Sequence, residues 1–211
     1  MPGAGKTHIA ALAIHHLQHL HPFDPTPGLA YIYCEYTQQL TRETVLGSLL
    51  EQLARLLHPL PTHLYTLYQK HKEKKTQPSI DELRAVLRDI AAAFERSFIV
   101  VDGLDECTDD EGIRTFLLEV LIDLQQSAGV NILAMSRYIQ HIQDMFNTRE
   151  CLEIHIRASD HDIGMYLDQR IPLVLQLLAD SPGLCRRIKD VIMAVADGMY
   201  VTCSLLSSMP N

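Results

Sequence analysis

The sequence predicts an α/β fold: a mostly parallel sheet with helices packed on both faces. Three observations predict it. Segments of helical and strand-like periodicity alternate along the chain, as they do when parallel strands are joined by crossover helices. Ser97–Asp102 (SFIVVD) is an unbroken apolar run ending in an acid, the composition of a strand buried on both faces. A Gly-rich turn, Pro2–Thr7 (PGAGKT), opens directly onto a helical segment. With 211 residues, 47% of them hydrophobic, the chain is long enough to bury one sizeable core.

The elements follow in order. A helix is expected from about Thr7 to Leu20, broken by His21-Pro22 and by Pro25 and Pro27. Leu29–Tyr36 (LAYIYCEY), rich in aromatic and β-branched residues, reads as a strand. Thr41–Leu57 carries Val45, Leu46, Leu49, Leu50, Leu53 and Leu57 at helical spacing. A shorter helix follows Pro61, and the charged stretch Lys70–Lys75 reads as a solvated loop. Ser79 and Glu82 form a capping box opening a helix whose apolar face is Leu83, Val86, Leu87, Ile90 and Phe94. After the SFIVVD strand, a helix from roughly Gly112 to Gln126 turns Phe116, Leu117, Val120, Leu121 and Leu124 to one side. Val130–Met135 is a second buried strand, ending in Ser136-Arg137, and Cys151–Ile156 alternates like a short strand. Ser159 then caps a helix, and past Pro182-Gly183 two further helical stretches are expected, split at Asp197-Gly198.

Bulk properties narrow the function classes. A net charge of −8 argues against a nucleic-acid-binding surface. No run of roughly eighteen apolar residues is present to span a bilayer, and no charged segment followed by an apolar one stands at the N-terminus as a leader. The five cysteines, Cys34, Cys107, Cys151, Cys185 and Cys203, are widely spaced, mostly in apolar segments and with no C-x-x-C pair, which implies a reduced, cytoplasmic setting. His15 and His19 have a spacing that can bind zinc, but no Glu follows the first and no third ligand is apparent, so structural or solvent-facing roles are expected for them.

The chemistry concentrates in three places. Pro2, Gly3, Ala4, Gly5, Lys6 and Thr7 fit most of the phosphate-loop pattern G-x-x-x-x-G-K-[ST]. There, backbone N–H groups curl around phosphates and glycines permit the close approach. Lys6 would bring a charge near the β- and γ-phosphates, and the Thr7 hydroxyl would ligate Mg²⁺. Asp102 is delivered by its strand to the C-terminal edge of the sheet, where ligands of open α/β folds bind. A carboxylate there can hold Mg²⁺, directly or through water. Asp105 and Glu106 follow at once, and either can polarise an attacking water as a general base; a solvated acidic turn is the alternative, and for Asp110 the better one. Arg137, just past the neighbouring strand, is placed either to sense a γ-phosphate or to cap a strand end.

PGAGKT, FIVVDGLDEC and NILAMSR together resemble the NACHT subgroup of STAND nucleotide-switch ATPases, in which the run Asp102–Glu106 (DGLDE) is distinctive. AYIYCEY, SDHDIGMYLDQRI and ADGMY are similar to NACHT domains of fungal immune-receptor-like proteins. The resemblance covers Pro2 to about Leu206. It implies a P-loop NTPase fold, three-layer α/β/α with a mostly parallel sheet, lacking its first (Walker A) strand. It divides the chain into an NTPase core at 1–158, incomplete at its N-terminus, and the start of a truncated C-terminal helical subdomain at 159–211. It implies a signalling switch binding ATP or GTP with Mg²⁺ and hydrolysing it slowly or not at all. Pro2, Gly3, Ala4, Gly5, Lys6 and Thr7 would be the nucleotide loop, Thr7 and Asp102 the Mg²⁺ ligands, Asp105 and Glu106 the acidic pair, and Arg137 the sensor. Implied partners are nucleotide and homotypic or related NACHT proteins, with an effector domain and ankyrin, WD40 or TPR repeats in a full-length version.

The first loop glycine would fall just before Met1, and the strand preceding it is absent. Two internal strand edges are therefore expected to stand open unless another segment fills the gap. An incomplete gene model or a degenerate copy is the expectation. This motivates a second function class, a non-catalytic interaction fragment or decoy pairing with intact relatives. A small metabolite kinase fits less well, because the adjacent pair Arg186-Arg187 lies far along the chain. GTPase-type base recognition lacks its N-K-x-D element, leaving Asp109–Gly112 as a helix-starting turn.

Overall fold

The computed structural model describes residues 6–19, 26–37, 39–107, 112–147, 151–157, 160–174, 182–195 and 200–206. Pro2, Gly3, Ala4 and Gly5 of the loop, the acids Asp109 and Asp110, and the Ser159 cap lie outside the described residues. The elements are α1 (Lys6–His19), β1 (Gly28–Tyr33), α2 (Arg42–Ala54), α3 (Thr62–Lys74), α4 (Ile80–Ala92), β2 (Ser97–Asp102), α5 (Ile113–Ala128), β3 (Asn131–Ser136), α6 (Gln140–Asn147), β4 (Cys151–Arg157), α7 (Asp160–Val174), α8 (Pro182–Val195) and β5 (Tyr200–Leu206). They fall into two compact units. One holds α1 to α6, β1 to β3 and most of β4 and β5; the other is built on α7 and α8, where Lys189 Nζ lies 2.7 Å from an Asp168 carboxylate oxygen.

The sheet runs β1-β2-β3-β5-β4. β1, β2 and β3 are parallel, with Ala30 opposite Ile99, Ile99 opposite Ile132 and Tyr33 opposite Asp102. Side chains alternate between faces along a strand. Ala30, Ile32, Ile99, Val101, Ile132 and Ala134 join one continuous core with α2, α4 and α5. The opposite parity, Leu29, Val100 and Met135, is also buried, and α1 packs across these three strands with Ala10 and Ile14 turned inward. Apolar side chains on both faces of one strand explain why SFIVVD shows no alternation in sequence.

Local chemistry fixes the helix starts. Thr41 caps α2 in a reciprocal box with Thr44, and Ser79 caps α4 in another with Glu82. Gly112 and Gly129 bracket α5 in left-handed conformations that cost glycine little. The core gathers fully buried Leu46, Leu49 and Leu53 from α2, Leu87 and Ile90 from α4, and Leu117, Leu121 and Leu124 from α5. Each such side chain stabilises the fold by about 1.5–3 kcal/mol.

Three expectations are corrected. The strand expected to reach Tyr36 ends at Tyr33. The charged stretch expected as a loop is helical through Lys74, because Lys, Glu and His tolerate a helix and Leu64 and Leu67 of the same helix pack on the core. The second helical stretch expected after Asp197-Gly198 is the strand β5. Two internal strand edges are expected to stand open unless another segment fills the gap; β5 runs antiparallel to β3, with Ala134 opposite Ser204, so that edge of β3 is paired and the sheet is mixed. The short helix α6 had no counterpart in the sequence reading.

Candidate functional site

The parallel strands deliver their C-terminal ends to one edge of the sheet, and the charged residues singled out in the sequence meet there. β2 ends in Asp102, which is buried, and the chain turns at once through Gly103 at φ +69°. A side chain at Gly103 would put its Cβ 2.7 Å from the Cys34 carbonyl oxygen, so both conformation and space demand glycine. The turn is pinned on several sides. Cys34 N–H donates to the Asp102 carbonyl at 2.9 Å, Leu104 N–H to the Met135 carbonyl at 3.0 Å, and Glu106 N–H to the Gly103 carbonyl at 2.7 Å. Arg114, from the first turn of α5, donates to the carbonyls of Cys107 at 2.7 Å and Asp105 at 3.3 Å.

Thus held, Asp105 is the hub. Its side chain is 3% exposed and sits between two cations from distant parts of the chain. Lys6 Nζ, at the first position of α1, donates to Oδ1 at 2.7 Å. The Arg137 backbone N–H donates to the same oxygen at 2.9 Å, and Arg137 Nε lies 3.3 Å from Oδ2. Glu106 takes a looser place, its Oε1 3.8 Å from Lys6 Nζ and 3.7 Å from an Arg137 terminal nitrogen. Two cations and two carboxylates form a neutral cluster, the condition under which charges tolerate burial.

Asp102 stands outside this cluster. Its Oδ1 is inaccessible and has no hydrogen-bond partner among the described residues. A buried, unpartnered carboxylate oxygen is costly in itself and is the donor a hard cation takes. Beside it across the β1–β2 register, the Tyr33 phenol is pushed above its ordinary range, first by burial and then by the Asp102 charge. Thr7 is exposed, and no hydrogen bond joins it to Asp102 among the described residues.

One residue near the site, Arg114, escaped the sequence reading. Arg114 carries no motif signal, since its role is to hold carbonyls. Cys107 is buried and its thiol is hydrogen-bonded to that of Cys34; this contact, with burial, pushes the Cys34 thiol far up. The histidines behave locally: His19 Nδ1–H donates to the His15 carbonyl and the two rings stack at 4.2 Å. Among the described residues, no group of three His, Cys, Asp or Glu side chains converges to hold a metal by protein ligands alone.

Residues 1–137 match the family described as nephrocystin 3, N-terminal. The chain belongs to this family. The match is to that family and not to a NACHT model, and it ends on Arg137, the last member of the charged cluster. No curated protein and no solved structure matches the chain. The matched region therefore contains every residue of the Lys6, Asp105, Glu106 and Arg137 arrangement. No helix among the described residues is long and apolar enough to cross a membrane.

Proposed function

We propose that this chain is a nucleotide-binding signalling switch of P-loop, NACHT-like type, taking ATP or GTP with Mg²⁺ and hydrolysing it slowly or not at all. One observation carries the reading: Lys6, at the start of a helix, lies 2.7 Å from Asp105 although the two are 99 positions apart. A lysine at a helix N-terminus, beside acids at the end of a parallel strand, is the pairing that phosphate and Mg²⁺ binding calls for. The unpartnered Oδ1 of Asp102 supports it as the carboxylate that would hold Mg²⁺, and Thr7 would be the second protein ligand. Mg²⁺ ordinarily takes only one or two carboxylates and completes its shell with phosphates and water, so a site without three converging protein ligands fits it.

The geometry also separates the two acids. Asp105 Oδ1 already accepts from Lys6 and Arg137, and the group is buried, which suits a positioning role. Glu106, 25% exposed and more loosely paired, keeps free lone pairs and is the better candidate base. Arg137 would report on the γ-phosphate by exchanging its acid partners for phosphate oxygens.

One feature favours the second reading, an interaction fragment that binds no nucleotide: the Lys6 ammonium is already neutralised by Asp105. Equilibrium titration of the full chain with a fluorescent ATP or GTP analogue, with and without Mg²⁺, separates the two. Saturable binding strengthened by Mg²⁺, with the strengthening lost in Asp102→Ala, supports the switch. No saturable binding under either condition supports the fragment.

A further inference from the structure

Away from the charged cluster, the junction of α3 and α4 strings three side chains together. His71, near the end of α3, has a side chain only 12% exposed and meets a partner at each ring nitrogen. Its Nδ1 lies 2.8 Å from the Thr76 hydroxyl oxygen, and its Nε2 lies 3.1 Å from Glu82 Oε2. Thr76 itself is exposed, in the short connection between the left-handed Lys75 and the Ser79 cap.

The chemistry of the partners fixes the direction of these hydrogen bonds. Lys70 and the Ser79 backbone hold the Glu82 carboxyl low, so it is ionised, and an ionised carboxylate only accepts. Nε2 therefore carries the ring proton. In the neutral imidazole Nδ1 is then bare, and the proton it accepts is that of the Thr76 hydroxyl. Hydroxyl, imidazole and carboxylate stand in the order that activates an oxygen nucleophile. Nδ1 can take the hydroxyl proton, and Glu82 stabilises the imidazolium so formed.

Closing the two helices does not call for this arrangement. The α4 capping box is complete with Ser79 and Glu82. α3 ends through backbone bonds, the Thr76 N–H donating to the His71 carbonyl at 3.1 Å. Lys74 and Lys75, just before Thr76, add positive charge beside the position where an oxyanion would develop.

We propose that Thr76, His71 and Glu82 form an acyl-transfer site acting on small activated carboxylic esters, with Thr76 the nucleophile, His71 its base and Glu82 the positioning residue that fixes the ring. Thr76 Oγ attacks the ester carbonyl carbon as its proton passes to His71 Nδ1. The leaving oxygen departs with the electron pair of the broken C–O bond and takes that proton, and the acyl group stays on Thr76 Oγ. Water, deprotonated in turn by Nδ1, attacks the acyl carbon. The carboxylic acid leaves, and the proton on Nδ1 restores the Thr76 hydroxyl. The site is independent of the nucleotide reading.

The test follows p-nitrophenolate release from p-nitrophenyl acetate by the full chain, with peptide mass spectrometry of acid-quenched samples to locate the acetyl group. Acetyl is expected on Thr76, and release should fall at least about a hundredfold in Thr76→Val and in His71→Gln. Thr76→Ser keeps the hydroxyl and should retain release, and His63→Gln, at the start of α3, should leave it unchanged. Nitrogen-15 NMR of the neutral His71 ring should place its proton on Nε2, a signature that capping alone does not require of Thr76. Circular dichroism confirms that the variants fold, and Thr76→Val, a near-isosteric change at an exposed position, serves where His71→Gln does not. Equal release by wild type and Thr76→Val, acetyl found only on lysines or other histidines, or a ring proton on Nδ1 would overturn the proposal.

Discussion

Lys6 Nζ and Asp105 Oδ1 lie 2.7 Å apart, joining the start of α1 to the turn that follows β2, with Arg137 closing on the same carboxylate from β3. Three elements thus meet on one side chain that is almost wholly removed from water. The pairing has a mechanical consequence apart from any ligand: it ties the helix on one face of the sheet to the ends of two parallel strands.

Removing the hub should therefore be far worse than removing a spoke. Asp105→Ala leaves Lys6 and Arg137 facing each other without their shared acid, and a loss of about 3–5 kcal/mol is expected, the usual result of breaking a buried pair. Lys6→Met leaves Asp105 still paired with Arg137 and should cost less. Urea denaturation of the two variants checks the order, and equal losses would deny the hub role.

Gly103 should tolerate no side chain. Its φ of +69° and the 2.7 Å approach to the Cys34 carbonyl both penalise Gly103→Ala, by at least about 2 kcal/mol together. Gly47, inside α2 with nothing within 4 Å of the corresponding Cβ, is the control; Gly47→Ala should be neutral or stabilising. Thermal melting of both variants reads the contrast.

Acid should weaken the α3–α4 junction in a defined window. Lys70, with help from the Ser79 backbone and from His71, lowers the Glu82 carboxyl from 4.5 to about 2. A depressed carboxyl contributes stability that is complete above its unfolded value and lost as pH falls through its folded one. The stability advantage of wild type over Glu82→Gln should thus be constant above about pH 5 and shrink steadily between 4.5 and 2. Melting temperatures across that range check the sign, and an advantage that grows on acidification would reverse it.

The β3–β5 pairing makes a prediction of its own. β3 amides facing β5 should be protected from hydrogen exchange, as are those facing β2. Fast exchange confined to the β5-facing amides of Ile132–Ser136 would contradict the strand order.

Much of this arrangement was legible in sequence because it is local. SFIVVD announces its burial on both faces, and Ser79 with Glu82 announces a helix start, each within a few residues. The candidate site was legible for the same reason, since Lys6, Asp102, Asp105, Glu106 and Arg137 all stand at the ends of such elements. What stayed hidden depends on partners far along the chain. Tyr200–Leu206 reads as helical from its own residues, and the antiparallel pairing with β3 that makes it a strand lies outside any local signal. The eight residues of α6 are too few to establish a period. Arg114 works through backbone carbonyls, which no spacing rule records.

The central claim is that Lys6 meets a nucleotide phosphate, and the affinity of Lys6→Ala against wild type for a fluorescent ATP or GTP analogue with Mg²⁺ tests it most directly. A charged hydrogen bond contributes about 1.5–3 kcal/mol, so affinity should fall at least about tenfold while the fold, followed by circular dichroism, persists. Unchanged affinity in a folded Lys6→Ala protein would contradict the account.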